Sequence, residues 1–228
     1  MSIKFTNVNI GNYKNRSKRF FVFIDPIKEI SKFVIDTEGN SMAYCPNNGK
    51  MADILIPGSR CFFSQYDGKL KWKWEAINIH NNWIGVNTHN PNKLIEHHLK
   101  YIFPLETFKK EVTFGGYRAD FANENKVIEV KNVHWKIGHK AYFPDCVTER
   151  GARQLNDLIN LQNNGYQCFV FYVLQRSDVS IVKVADFIDE SYYNNHLLAK
   201  KAGIKIMAFN TNISEEEISI KDEILFEY

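Results

Sequence analysis

The sequence predicts an α/β protein in two parts: a small β-barrel over residues 1–80, then a mixed-sheet α/β domain over 81–228. Two observations carry this. Short apolar runs punctuated by Gly, Pro and Asn turns fill the first third of the chain. From about residue 81, helical three-to-four spacing alternates with buried strand patterns.

Five strands are expected in the first part. Phe20-Phe21-Val22-Phe23-Ile24 is stopped by Asp25-Pro26, and Phe33-Val34-Ile35 precedes the turn signal Glu38-Gly39-Asn40. Met42 to Cys45 ends at Pro46-Asn47-Asn48-Gly49, and Cys61-Phe62-Phe63 runs to Asp67-Gly68. Leu70 to Ile79 alternates, with Leu70, Trp72, Trp74 and Ala76 on one face and Lys71, Lys73 and Glu75 on the other. Five short strands fit an OB-like barrel or another small barrel. In the second part Pro91 to Lys100 reads as a helix, followed by strands at Glu111–Phe114, Tyr117–Ala122 and Val127–Val133. Glu149 to Asn163 is helical, with Thr148 as N-cap and Gly165 at the C-terminal stop. Phe169–Leu174, a helix over Asp189–Ala202 and Ile204–Phe209 complete the order.

Composition narrows the function. The 228 residues are 44% hydrophobic and 24% charged, which excludes a largely disordered chain. No apolar run reaches the roughly 18 residues of a membrane span, and the first twenty residues lack an apolar signal segment. Four widely spaced cysteines form no CxxC pair, which argues against a zinc site and for reduced thiols in the cytoplasm. The net charge of +3 is uneven: residues 1–80 carry +5. A basic first part, with Arg16, Lys18 and Arg19 clustered, points to a polyanionic partner or to an ordinary solvated surface.

The stretch Tyr117 to Val133 carries chemistry. A two-residue loop at Glu124-Asn125 places Asp120 directly opposite Glu129, with Cβ atoms about 5 Å apart. Lys131 falls on the same face as Glu129, while Ile128 and Val130 face the other way into a core. Two carboxylates so placed can share Mg²⁺ or Mn²⁺, with phosphate oxygens completing the shell. Lys131 would orient the attacking water or stabilise developing charge. The competing reading is a hairpin salt bridge. Three charges on a strand that reads as central favour use over ornament.

Asp120 and the Glu129-Val130-Lys131 triplet resemble the PD-(D/E)XK nuclease signature. More specifically, the chain resembles the sugar fermentation stimulation protein A (SfsA) family. The matching blocks are Arg16–Phe20, Cys45–Met51, Trp83–Asn92, Arg118–Phe121, Glu129–Val133, Phe143–Gly151 and Gln175-Arg176, in order from about residue 13 to residue 218. The resemblance implies an N-terminal OB-like domain, a restriction-endonuclease-like mixed-sheet domain, DNA binding with RNA as a further possibility, and Mg²⁺-dependent phosphodiester hydrolysis. It leaves an alternative, a non-catalytic DNA-binding transcriptional regulator of sugar metabolism on a nuclease fold. The sequence departs from the family pattern at Asn48 and Lys50, at Gln154, and at His97, where an acid is expected. Glu96 and Glu111 are the neighbouring acids.

Other residues join the candidate list as nucleic-acid contacts. Arg150 and Arg153 open the Thr148-capped helix, whose N–H groups can hold a phosphate. Asn47 lies in a turn that would let a nucleic-acid backbone approach, or that is only a turn. Arg118 flanks Asp120. Trp72 and Trp74 serve either as stacking platforms or, at period-two spacing, as barrel core.

Overall fold

The computed structural model describes residues 2–35 and 41–228. The turn expected at Glu38-Gly39-Asn40 lies outside the described residues. In chain order the elements are β1 (Ser2–Lys4), β2 (Asn9–Ser17), β3 (Phe21–Pro26), β4 (Ser41–Tyr44), β5 (Arg60–Gln65), β6 (Trp72–Ile79), β7 (Asn82–Gly85) and α1 (Asn90–Ile102). They continue with β8 (Lys109–Phe114), β9 (Tyr117–Ala122), β10 (Lys126–Val133), β11 (Lys136–Ile137), β12 (Lys140–Phe143) and α2 (Glu149–Asn163). The last are β13 (Gln167–Leu174), β14 (Ile181–Val184), α3 (Glu190–Lys201), β15 (Lys205–Ile213) and β16 (Glu217–Glu227).

The first sheet runs β4-β3-β2-β5-β6-β7, and a parallel Tyr44–Lys73 pair between β4 and β6 closes five of its strands into an OB-like barrel. Its core holds Val22, Ile24, Cys61, Phe63, Trp74 and Ile77. Phe33–Ile35 is not one of the strands. Phe33 instead packs its ring edge-on to Phe63 and Trp72 from outside the ladder. The fifth strand is the polar β2, buried only at Asn9, Gly11 and Tyr13. Gly11 is required there, because a Cβ would stand 2.4 Å from Ile24. Trp74 is fully buried and Trp72 packs on the barrel core, so the tryptophans are core.

The second sheet is mixed, in the order β11-β12-β14-β16-β15-β13-β10-β9-β8. Helix α1 covers one face through Leu94, Ile95 and Leu99, over Ile128, Val130 and Phe171. Helices α2 and α3 cover the other, over Val127, Val133, Val170 and Tyr172. The predicted N-cap Thr148 accepts from Gly151 N–H at 3.1 Å, and Asp189 caps α3 in the same way, accepting from Tyr192 N–H at 2.9 Å. The barrel's last strand passes residue 80, and Ser2–Lys4 pairs with β16 in the second sheet.

The two parts are pinned together by buried polar groups. Glu75, on β6, is 2% exposed rather than facing solvent. It accepts from Ser64 (2.6 Å), Asn87 (2.8 Å) and Asn90 (3.2 Å) and pairs with Lys73 at 3.2 Å. The Gln175 side chain donates to Asn132 and to the Asn87 carbonyl, and the Gln175 backbone carbonyl accepts from Gly85 N–H. Arg176 forks onto Asp178 at 2.6 and 2.9 Å and reaches Asp53 of the barrel at 3.5 Å.

Candidate active site at the β9–β10 hairpin

The hairpin forms as its residues dictate. Asn123 folds its side-chain oxygen back onto the Asn125 and Lys126 N–H groups, closing a two-residue loop. The ladder pairs Ala122 with Val127 and Phe121 with Ile128, the register that sets Asp120 against Glu129. Past that point the ladder opens, and the Asp120 carboxylate takes the Val130 N–H at 2.7 Å, a bond a ladder carbonyl would have taken. Its other oxygen accepts from Asn92 of α1 at 2.7 Å.

Glu129 and Lys131 share one side of β10, as the two-residue period requires. Both are buried, and they pair at 2.8 Å. Lys131 also donates to Gln154 of α2 at 2.8 Å, and Tyr117 donates its hydroxyl to the second Glu129 oxygen at 2.8 Å. Tyr117 and Asn92 are site residues that sequence reasoning missed. Tyr117 stands three residues before Asp120 on the same strand, a spacing with no motif attached.

Electrostatics set Asp120 apart. Burial first, and then the Glu129 charge, push its carboxyl up to about 6, against the opposing pull of Val130 N–H, Asn92 and Lys131. Burial and the Glu129 carboxylate also raise the Tyr117 phenol, which stays a donor. Asp120 lines a cleft of about 330 Å³ together with Asn92, Lys93, Glu96, Lys110 and Glu111. Glu96 pairs with Lys110 at 2.8 Å, and Glu111 lies 3.6 Å from Arg118. Glu111 holds a positive φ of 54°, a strained state for a strand residue.

The remaining candidates are not gathered at this point. Lys18 and Arg19 are exposed on the β2–β3 turn, and Arg118 and Arg150 are exposed elsewhere. Arg16 turns inward and donates to the carbonyls of Arg19, Asn47 and Gly49. Asn47 is 2% exposed; it bonds Gly49 N–H and the Val86 carbonyl, so it builds the loop from within. The loop surface belongs to Asn48 and Lys50. Asp145 receives the Lys50 N–H at 3.0 Å, and Gly49 is needed beside it, since a Cβ would lie 2.8 Å from that carboxylate.

An OB-like barrel joined to a mixed nuclease-like sheet defines the class of protein. The family models agree on both parts: residues 15–86 match the SfsA N-terminal OB domain, and residues 89–217 match the sugar fermentation stimulation protein RE domain. The chain belongs to the sugar fermentation stimulation protein family. A homolog from Pelagibacter ubique (strain HTCC1062) is 37% identical over 97% of this chain and 98% of its own. One from Geotalea uraniireducens (strain Rf4) is 33% identical over 87% and 93%. The structure of Pyrococcus furiosus SfsA in complex with Ca²⁺ superposes with a TM-score of 0.86 at 23% identity, covering all of both chains, which establishes the fold.

Proposed function

We propose that the protein binds nucleic acid, DNA first, and hydrolyses phosphodiester bonds at the Asp120–Glu129–Lys131 site with Mg²⁺ or Mn²⁺. The observation that carries this reading is the pair of carboxylates at the opened hairpin, one of them held near a pKa of 6 by burial and by the other's charge. A divalent cation relieves that repulsion, and hard oxygen donors suit it. The Pyrococcus furiosus relative was solved with Ca²⁺, an ion of the same hard class. Among the described residues no three His, Cys, Asp or Glu side chains close on one point, so Asp120 and Glu129 would hold the ion as a pair. When bound, such an ion supplies an activated water and polarises the phosphate.

The protein's own groups do the rest. Tyr117 fixes one Glu129 oxygen and Asn92 fixes one Asp120 oxygen, leaving each carboxylate a defined direction. Gln154 and Glu129 hold the Lys131 ammonium in place, where it orients the water or meets charge developing on the phosphate. The exposed Lys18, Arg19, Lys50 and Arg150 supply phosphate contacts.

The test is incubation with labelled DNA and RNA in Mg²⁺, Mn²⁺ or EDTA. Asp120→Ala and Glu129→Ala should abolish cleavage while binding in EDTA persists. Lys131→Ala should lose cleavage with little change in metal affinity, and Lys131→Arg should rescue poorly, because a planar fork cannot stand in for a point charge. Wild-type protein that binds DNA but cleaves nothing with either metal would instead identify a non-catalytic regulator.

A further inference from the structure

The outer face of the barrel carries an aromatic arrangement that the site described above does not use. Tyr44 of β4 and Tyr66, just past β5, stack with ring centroids 5.1 Å apart and planes 18° off parallel. Gly68 lies against Tyr66, where a Cβ would stand 2.3 Å from the ring, so Tyr66 is braced from the hairpin it begins. In the sheet, Tyr44 has Lys73 of β6 as one neighbour and Phe21 of β3 as the other. Tyr66 stacks on one face of the Tyr44 ring, and Phe21 lies beside Tyr44 across the β3–β4 ladder. Phe21 and Tyr66 are each 37% exposed. The surroundings are basic: Lys73 lies 5.9 Å from the Tyr66 ring centre, Lys69 and Lys71 sit on the same hairpin, and Lys18 and Arg19 precede Phe21.

This face connects to the candidate active site through a short, rigid piece of chain. Two residues after Tyr44, the Pro46 carbonyl accepts from Thr88 at 2.6 Å. His89 follows, exposed at the surface, and partial desolvation, then the ammonium charges of Lys73 and Lys93, lower its pKa. Lys93 lines the Asp120 cleft, and its neighbour Asn92 bonds Asp120.

We propose that Tyr44 and Phe21 form a stacking platform for unpaired bases, from which a single nucleic-acid strand runs past Lys73, His89 and Lys93 to the Asp120 carboxylate. This rests on the nuclease reading and names its substrate class as single-stranded nucleic acid. The chemistry is the one such ligands demand. Aromatic faces accept any base, and flanking ammonium groups follow the backbone. A duplex keeps its bases stacked on each other and offers nothing to Tyr44.

The test uses the full chain in EDTA, with binding followed by fluorescence anisotropy on labelled oligo-dT, oligo-U, a duplex of equal length and a strand carrying abasic sites. Single strands should bind more tightly than duplex. Abasic sites should weaken wild-type binding, and Tyr44→Ala should weaken oligo-dT binding about 5- to 100-fold, while Tyr44→Trp retains it. Duplex affinity should be unchanged by Tyr44→Ala. Oligo-dT against oligo-U separates DNA from RNA as the source of the strand.

Oligo-dT affinity indifferent to Tyr44→Ala and Phe21→Ala would overturn the platform, as would equal affinity for abasic and intact strands. The abasic comparison uses wild-type protein, so it stands even if a variant fails to fold. Adding Mn²⁺ separates the two readings. Tyr44-dependent binding with no cleavage of any strand would sink the nuclease and keep the platform; duplex cleavage independent of Tyr44 would do the reverse.

Discussion

Replacing Asp120 with Asn should make the metal-free protein more stable at neutral pH, although it removes a residue placed at the centre of the site. Burial and the Glu129 charge raise the carboxyl from 3.8 to about 6. At about 1.4 kcal/mol per unit, the ionised form costs the folded state about 3 kcal/mol. Asn keeps an acceptor for the Val130 N–H, turns its NH2 to Asn92, whose amide must flip to accept, and gives up the charged character of these bonds, worth about 1 kcal/mol. The net gain is about 2 kcal/mol, or about 4–8 °C in Tm for a chain of this size. The sign with pH follows from linkage. The native carboxyl holds its proton more tightly than the unfolded one, so wild-type stability falls as pH rises from about 4 to about 6. The variant lacks that fall, and the gap between them should close below about pH 4. Thermal unfolding followed by circular dichroism across this range in EDTA measures it. A variant less stable than wild type near neutrality, or a gap unchanged between acid and neutral pH, would refute the reasoning. Mn²⁺ should raise the wild-type Tm and leave the variant nearly unmoved.

Tyr117→Phe leaves a buried Glu129 oxygen without its donor and should cost about 1–3 kcal/mol in urea unfolding. Arg16→Lys cannot reproduce bonds to three carbonyls; it should cost about 1–3 kcal/mol and speed proteolysis in the 45–51 loop that Arg16 holds. His196 is fully buried among Tyr172, Tyr192 and Phe226, and burial lowers its pKa from 6.5 to about 4. The unfolded chain takes up that proton first, so the wild type should lose up to about 3 kcal/mol as pH falls from about 6.5 to about 4. His196→Phe should flatten that part of the stability curve, and parallel curves for the two proteins would sink the assignment.

The hairpin was legible because its information is local. Asn123 to Lys126 sets the loop length, the loop length sets the register, and the period of two places Lys131 beside Glu129. The same locality made Thr148 readable as a cap. What was not legible depends on partners distant in sequence. Asn9–Ser17 carries little β-forming composition and becomes a strand because β3 and β5 flank it on either side. Glu217–Glu227 carries Glu217, Asp222, Glu223 and Glu227, a composition poor in strand formers at those positions, yet it pairs with β14, β15 and β1. Glu75 and Asn47 were read by residue type as surface groups. Each is buried because a second segment, some 12 to 40 residues away in the chain, brings its polar atoms to meet them.

Those buried polar contacts bear on how the two parts work together. Asn87 donates to Glu75 of the barrel, and its carbonyl accepts from Gln175 at the end of β13. Asn90, at the start of α1, reaches the same Glu75 oxygen. The residues between barrel and helix are thus hydrogen-bonded to both parts, and the α1 residue Asn92 in turn holds Asp120. A linker so tied cannot swing freely, because each broken contact would leave a buried acceptor or donor unpaired. The spacing between the barrel face and Asp120 is therefore fixed by folding rather than by ligand. A nucleic-acid strand held at both places would pay little to order the protein and would meet the carboxylates at a set distance from the proposed platform. Glu75→Gln, which keeps the shape and weakens the bonds from Asn87 and Asn90, should loosen that spacing. Cleavage products of wild type should cluster at a narrow range of lengths from a strand end, and those of Glu75→Gln should spread. Product ladders of equal width on a sequencing gel would show that the linker does not set the distance.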